Sequence, residues 1–266
     1  MAIRWSEIDA VISDMDGVLW LDDTPLPGLR ELFARLDATR TPYMLATNNS
    51  SKTPADYVAK LLKMGIIAVP EAAIITSGTA TAAIMRDRYP AGTTVYVVGG
   101  AGLRQLLVSA GFLLVERDAR VVVVGLDVTL TYDKLKAAAF CLRAGADFIA
   151  TNDDPALPTP EGLAPGAGSI AAAISTAAGR TPMVIGKPHH PMFNIALARL
   201  ETRPERTLMV GDRLDTDIAG GAAVGLQTAL VMSGVTDHAL LADSPTQPDA
   251  LYRDLADLVQ DWQASR

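Results

Sequence analysis

The stretch Ala10-Val-Ile-Ser-Asp14-Met-Asp16-Gly17 decides how this chain is read. Its head is a short, mostly apolar run, the pattern of a strand buried on both faces of a parallel sheet. It ends on two carboxylates spaced by two, which an extended backbone points to the same side. Gly17 then permits a tight exit. Three further runs end on comparable groups: Tyr43-Met-Leu-Ala46 before Thr47, Met183-Val-Ile-Gly186 before Lys187, and Thr207-Leu-Met-Val-Gly211 before Asp212. In open α/β sheets, ligands bind outside the carboxyl ends of the strands. Four such strands would aim two carboxylates, a hydroxyl and an ammonium into one crevice. That set suits phosphoryl chemistry around Mg2+.

Strand-like and helix-like segments alternate along the chain, which predicts a doubly wound parallel sheet of the α/β class. Strands are expected at 10–14, 43–47 and 74–77, with helices near 28–40, 54–64 and 79–88. The middle repeats the rhythm with strands at 95–98, 121–124 and 148–150, none ending on a catalytic group. The expected organisation is a core formed by 1–79 and 182–266, with a second α/β domain, 80–181, inserted into it. The core is expected to resume with the strand at Met183 and to close with a strand at 228–232 and a helix near 250–263.

Each group has a chemical role available to it. One of Asp14 and Asp16 can attack phosphorus; the other can protonate the leaving oxygen and later activate water. The two carboxylates repel by about 4 kcal/mol at ~4 Å and an effective dielectric of ~20, a penalty that a divalent cation removes. The same Asp-x-Asp-Gly also opens calcium loops, which need Glu at the twelfth position; counting from Asp14 that position is Pro25. Thr47-Asn48-Asn49-Ser50 offers a hydroxyl, side-chain amides and turn N–H groups to phosphate oxygens, or simply a helix cap ahead of Pro54. Lys187 can screen the nucleophile and bind a phosphate oxygen as a point charge. A Walker A loop is excluded, because six residues separate Gly179 from Gly186 and Pro188 follows the lysine. Asp212 can ligate the metal, and Asp217 can support the metal or Lys187.

These motifs, in this order, resemble those of the haloacid dehalogenase superfamily: Asp14-x-Asp16-Gly-Val, Thr47-Asn-Asn, Gly-Lys187-Pro and Gly-Asp212-x-x-x-Thr-Asp217. The inserted domain resembles the α/β cap of the subfamily that includes para-nitrophenyl, nucleotide, pyridoxal and phosphoglycolate phosphatases. The resemblance implies a Rossmann-like core with Asp14 as nucleophile, Asp16 as acid/base, and Thr47 and Asn49 on the phosphate. It further implies Lys187 as charge clamp and Mg2+ held by Asp14, the Asp16 carbonyl and Asp212. Because the superfamily's dehalogenases lack the second aspartate, Asp16 points to phosphoryl chemistry. The loop after the last cap strand, 151–168, would read the leaving group, with Asn152, Asp153 and Asp154 as specificity residues. A dimer through the cap is also implied.

Composition narrows the field. The 266 residues carry a net charge of -7 without a Lys/Arg cluster, so no nucleic-acid partner is expected. No apolar run approaches a membrane span. The single cysteine, Cys141, rules out an internal disulfide, and the polar, acidic N-terminus does not read as a signal peptide; a cytoplasmic protein is expected. Val98-Gly-Gly-Ala-Gly102 lacks the third glycine of a dinucleotide loop, Gln105 standing there, and reads as a tight turn. His189 and His190 read as polar loop residues, and no serine hydrolase elbow exists. The expected activity is Mg2+-dependent hydrolysis of small phosphomonoesters. A phosphotransferase or mutase sharing the aspartyl-phosphate step, and a non-catalytic phosphate sensor, are the alternatives.

Overall fold

In the computed structural model, which describes residues 3–67, 69–159 and 161–265, the chain forms two compact α/β units. One comprises 1–47, 54–75 and 187–266; the other comprises 48–53 and 76–186.

The first unit is built on a six-stranded sheet ordered 250–252, 227–231, 207–211, 10–13, 43–47, 74–76. The pairings of 10–13 with 207–211 and 43–47, and of 227–231 with 207–211 and 250–252, are parallel. Strand 10–13 is buried at every position, as a central parallel strand must be. The chain proceeds from 10–13 toward one edge and from 207–211 toward the other. The topological switch point therefore lies between the strands that end at Asp14 and Asp212, where open sheets hold their ligands. Leu29, Leu32 and Leu36 line the buried face of helix Leu29–Thr39. Leu255, Leu258, Val259 and Trp262 do the same for helix Leu255–Ala264. These residues share one apolar core with strand residues Val11, Leu45, Leu208 and Val210.

The second unit has a five-stranded sheet ordered 183–184, 147–150, 121–124, 94–98, 113–114, all in parallel. Val121–Val124 is wholly buried, and its core includes Val122, Val124, Ala138, Leu142 and Ile174.

Four expectations need correction. Met183–Val184 is an edge strand of the second sheet, paired with Ile149 and Ala150, not a strand of the core. A short apolar run packs equally well in either sheet, and only its pairing partner distinguishes them. The terminal helix begins at Leu255, where Asp254 accepts from the Asp257 N–H as its cap, and Ala250–Tyr252 is the last core strand, with Leu251 half exposed. Within the loop 151–168, Ala156–Thr159 and Gly162–Pro165 pair as an antiparallel hairpin, and helix Ala167–Ala178 has begun by Gly168. Finally, segment 48–53 belongs to the second unit.

Candidate active site

Asp14 follows its central strand directly, its N–H donating to the Val210 carbonyl across the switch point. Lys187 is 2 % exposed, and its ammonium donates to Asp14 Oδ1 at 2.5 Å, to Asp217 Oδ1 at 2.7 Å and to the Ala46 carbonyl at 3.1 Å. All three donor positions are thereby filled. Burial would push the ammonium toward its neutral form, but the two carboxylates reverse this and hold its pKa above the ordinary lysine range.

Asp212 lies behind this pair. Its Oδ2 accepts from the Val235 N–H at 2.7 Å, whereas its buried Oδ1 has no hydrogen-bond partner among the described residues. Gly17, at φ +85°, passes so close that a Cβ there would lie 2.4 Å from Asp212 Oδ2. Asp217 is fully buried on a wide π-helical turn, Leu214–Ile218, and accepts from the Arg213 N–H. Asp215 of the same turn is instead paired with the Arg213 guanidinium. One carboxylate oxygen each from Asp14, Asp212 and Asp217 lies within 4.8 Å of the others.

Burial first, then the neighbouring Asp217, raises the Asp212 pKa to about 7; burial raises Asp14 as well, against the pull of Lys187. Three buried carboxylates with one ammonium and an unused oxygen leave negative charge uncompensated. That donor set fits a hard divalent cation such as Mg2+. Asp217, expected to support the metal or Lys187, does pair with Lys187, and its carboxylate also belongs to this acidic cluster.

Asp16 stands apart from the cluster, with its side chain exposed and Oδ1 accepting from the Trp20 indole N–H at 2.8 Å. Thr47 is buried. Asn48 and Asn49 lie with the second unit and are engaged there. Asn48 Nδ2 donates to Asp154 Oδ2 at 3.0 Å, and its carbonyl accepts from Asn152 Nδ2 at 2.7 Å and the Ser77 hydroxyl at 2.5 Å. Asn49 Oδ1 accepts from the N–H and hydroxyl of Ser51. Asn152 is buried, whereas Asp153 is exposed. Two of the three expected specificity residues thus hold the Asn48 loop. The first turn of helix Ala101–Ser109 accommodates the same segment, since a Cβ on Gly102 would lie 2.5 Å from the Ser51 carbonyl oxygen.

Family models described as haloacid dehalogenase-like hydrolase and HAD-hydrolase-like match residues 11–113 and 184–258. A dihydroxyacetone phosphatase of Corynebacterium glutamicum is 39% identical over 251 residues, 94% of this chain and 90% of that protein. The chain belongs to the haloacid dehalogenase-like hydrolases. It is a phosphatase. An acid sugar phosphatase of Staphylococcus haemolyticus is 40% identical, covering 91% of this chain and 92% of that one. The crystal structure of a 4-nitrophenylphosphatase from Thermotoga maritima superposes with a TM-score of 0.92 at 38% identity, over 97% of this chain and 99% of that one. A glycerol phosphate phosphatase from Mycobacterium tuberculosis, in complex with magnesium, superposes with a TM-score of 0.88 at 34% identity, over 99% and 80% of the two chains. Among the described residues, no helix is long and apolar enough to cross a membrane.

Proposed function

We propose that this phosphatase is a Mg2+-dependent phosphomonoesterase that hydrolyses small phosphorylated metabolites through an aspartyl-phosphate on Asp14. The observation that carries the reading is the triad of buried carboxylates around Lys187, with one oxygen of Asp212 left unused. Mg2+, bound by Asp14 and Asp212 with the Asp16 carbonyl, would neutralise phosphate oxygens as charge redistributes.

The chain's own groups supply the rest. A carboxylate oxygen of Asp14 forms a bond to phosphorus as the bond from phosphorus to the leaving oxygen breaks, and Asp16 delivers its proton to that oxygen. Water then attacks the phosphorus of the aspartyl-phosphate, its proton passing to Asp16. Inorganic phosphate departs, and Asp14 is restored as a carboxylate. Lys187 holds Asp14 in place throughout, and Thr47 offers a hydroxyl to the phosphate. The relatives named for dihydroxyacetone phosphate, sugar phosphates and glycerol phosphate point to short polyol and sugar monophosphates as substrates.

Release of inorganic phosphate from para-nitrophenyl phosphate, glycerol phosphate and sugar phosphates tests the proposal. Turnover should need Mg2+, and Asp14→Asn should abolish it while the protein stays folded. Full activity in excess chelator, or near-normal turnover by Asp14→Asn, would sink it.

A further inference from the structure

Trp20 is a large apolar residue in Val18-Leu-Trp-Leu21, and its position alone would make it core. Its ring is indeed fully buried. The bicycle stacks on Tyr57, centroids 6.3 Å apart and planes at 15°, while the Lys60 ammonium lies 4.4 Å from its centroid. Tyr57 and Lys60 sit three residues apart on helix Pro54–Lys63, so one helix face holds the indole. The backbone adds a further restraint: the Gly17 N–H donates to the Trp20 carbonyl at 2.8 Å, closing the turn that begins at Asp14. The one polar atom of this immobilised ring, Nε1, meets Asp16 Oδ1 at 2.8 Å.

We propose that Trp20 is a positioning residue that decides which oxygen of Asp16 carries the transferred proton, an inference that rests on the acid/base reading of Asp16. An indole N–H donates and cannot accept. The oxygen it touches, Oδ1, must therefore remain an acceptor whether Asp16 is charged or neutral. The proton that Asp16 gives to the leaving oxygen, and regains from water, is confined to Oδ2. An exposed aspartate without this bond would spread over several rotamers and over both oxygens. The bond to a ring that cannot turn removes that freedom before substrate arrives, as an efficient proton donor requires.

The role has a signature that a purely structural one lacks, because proton delivery matters more as the leaving group becomes more basic. The test compares kcat/KM, which reports phosphoryl transfer to the enzyme, across nitrophenyl, phenyl and alkyl phosphates. Trp20→Phe keeps an aromatic ring and removes the donor. Replacing Trp20 by 3-benzothienylalanine keeps the full bicycle and removes only the N–H, which covers the case in which the phenylalanine variant folds poorly. Each should lose roughly ten- to hundredfold on alkyl phosphates, a part of the ~10²–10⁴ that a general acid supplies, and far less on para-nitrophenyl phosphate. In an Asp16→Asn background the same replacements should add little. An equal loss on every leaving group, no loss on any, or an undiminished loss in the Asp16→Asn background would overturn the proposal. If Asp16→Asn itself retained full activity on alkyl phosphates, the fault would lie in the assignment of Asp16 rather than in Trp20.

Discussion

Replacing Lys187 by methionine should damage stability as well as catalysis. The ammonium is 2 % exposed and makes two ion pairs, at 2.5 Å to Asp14 and 2.7 Å to Asp217, the latter fully buried. At an effective dielectric of ~20 each pair is worth about 6 kcal/mol of gross Coulomb energy. Most of that offsets the desolvation of the charges. Lys187→Met leaves the carboxylates buried without a counter-charge, and the net cost of breaking such a pair is about 3–5 kcal/mol. For a chain of this size that lowers Tm by roughly 6–20 °C. The loss should depend on pH. Burial already raises the Asp14 pKa, and Lys187 is what opposes it. Without the ammonium the folded state holds protons that the unfolded chain has released, so the variant weakens further as pH rises. Thermal unfolding in chelator at pH 5.5 and pH 8 is the assay. The deficit should be larger at pH 8, and Lys187→Met/Asp217→Asn should recover part of it. An unchanged Tm at pH 8, or strictly additive effects in the double variant, would refute the argument that this lysine balances the buried acids.

Three further outcomes follow from the same geometry. In chelator, raising pH from about 4 to about 7 should destabilise the wild type, because the folded Asp212 pKa lies near 7, above its unfolded value; Mg2+ should raise Tm more at pH 7 than at pH 5, and a pH-independent Mg2+ effect would contradict this. Gly211→Ala places a Cβ 2.2 Å from that of Asp217, so it should cost about 1–3 kcal/mol and lower activity together, read by urea unfolding and phosphate release. Asn152→Ala and Asp154→Ala each remove a hydrogen bond to Asn48 and should cost about 0.5–1.5 kcal/mol, read by urea unfolding; unchanged midpoints in both would count against these bonds as the tether of that loop.

Much of the site was legible because its signals are local. Asp14-x-Asp16-Gly17 places two acids and a turn within a few residues, and Gly211-Asp212 with Asp217 does so again. The strand runs around them, read with the rule that ligands sit at strand ends, were enough to predict a doubly wound sheet and to nominate Asp14, Lys187 and Asp212. The apolar run before Lys187 reads as a core strand, but Met183–Val184 closes the edge of the second sheet, and the ammonium reaches Asp14 only once the chain has left that sheet. A four-residue apolar run does not encode its partner, since pairing is settled by contacts made far away in sequence.

What tertiary structure alone decided is the company each polar atom keeps. Asp217 became a member of the acidic cluster because a wide helical turn aims it inward. Asn48 turned out to be tied to Asn152 and Asp154, more than a hundred residues distant. Trp20 stands in the mostly apolar run Val18–Leu21, and nothing in the sequence says where its single N–H points. Composition and periodicity report how much surface a residue wants to bury, a property of one side chain. Hydrogen bonds report which two groups meet, and that is a property of the folded chain.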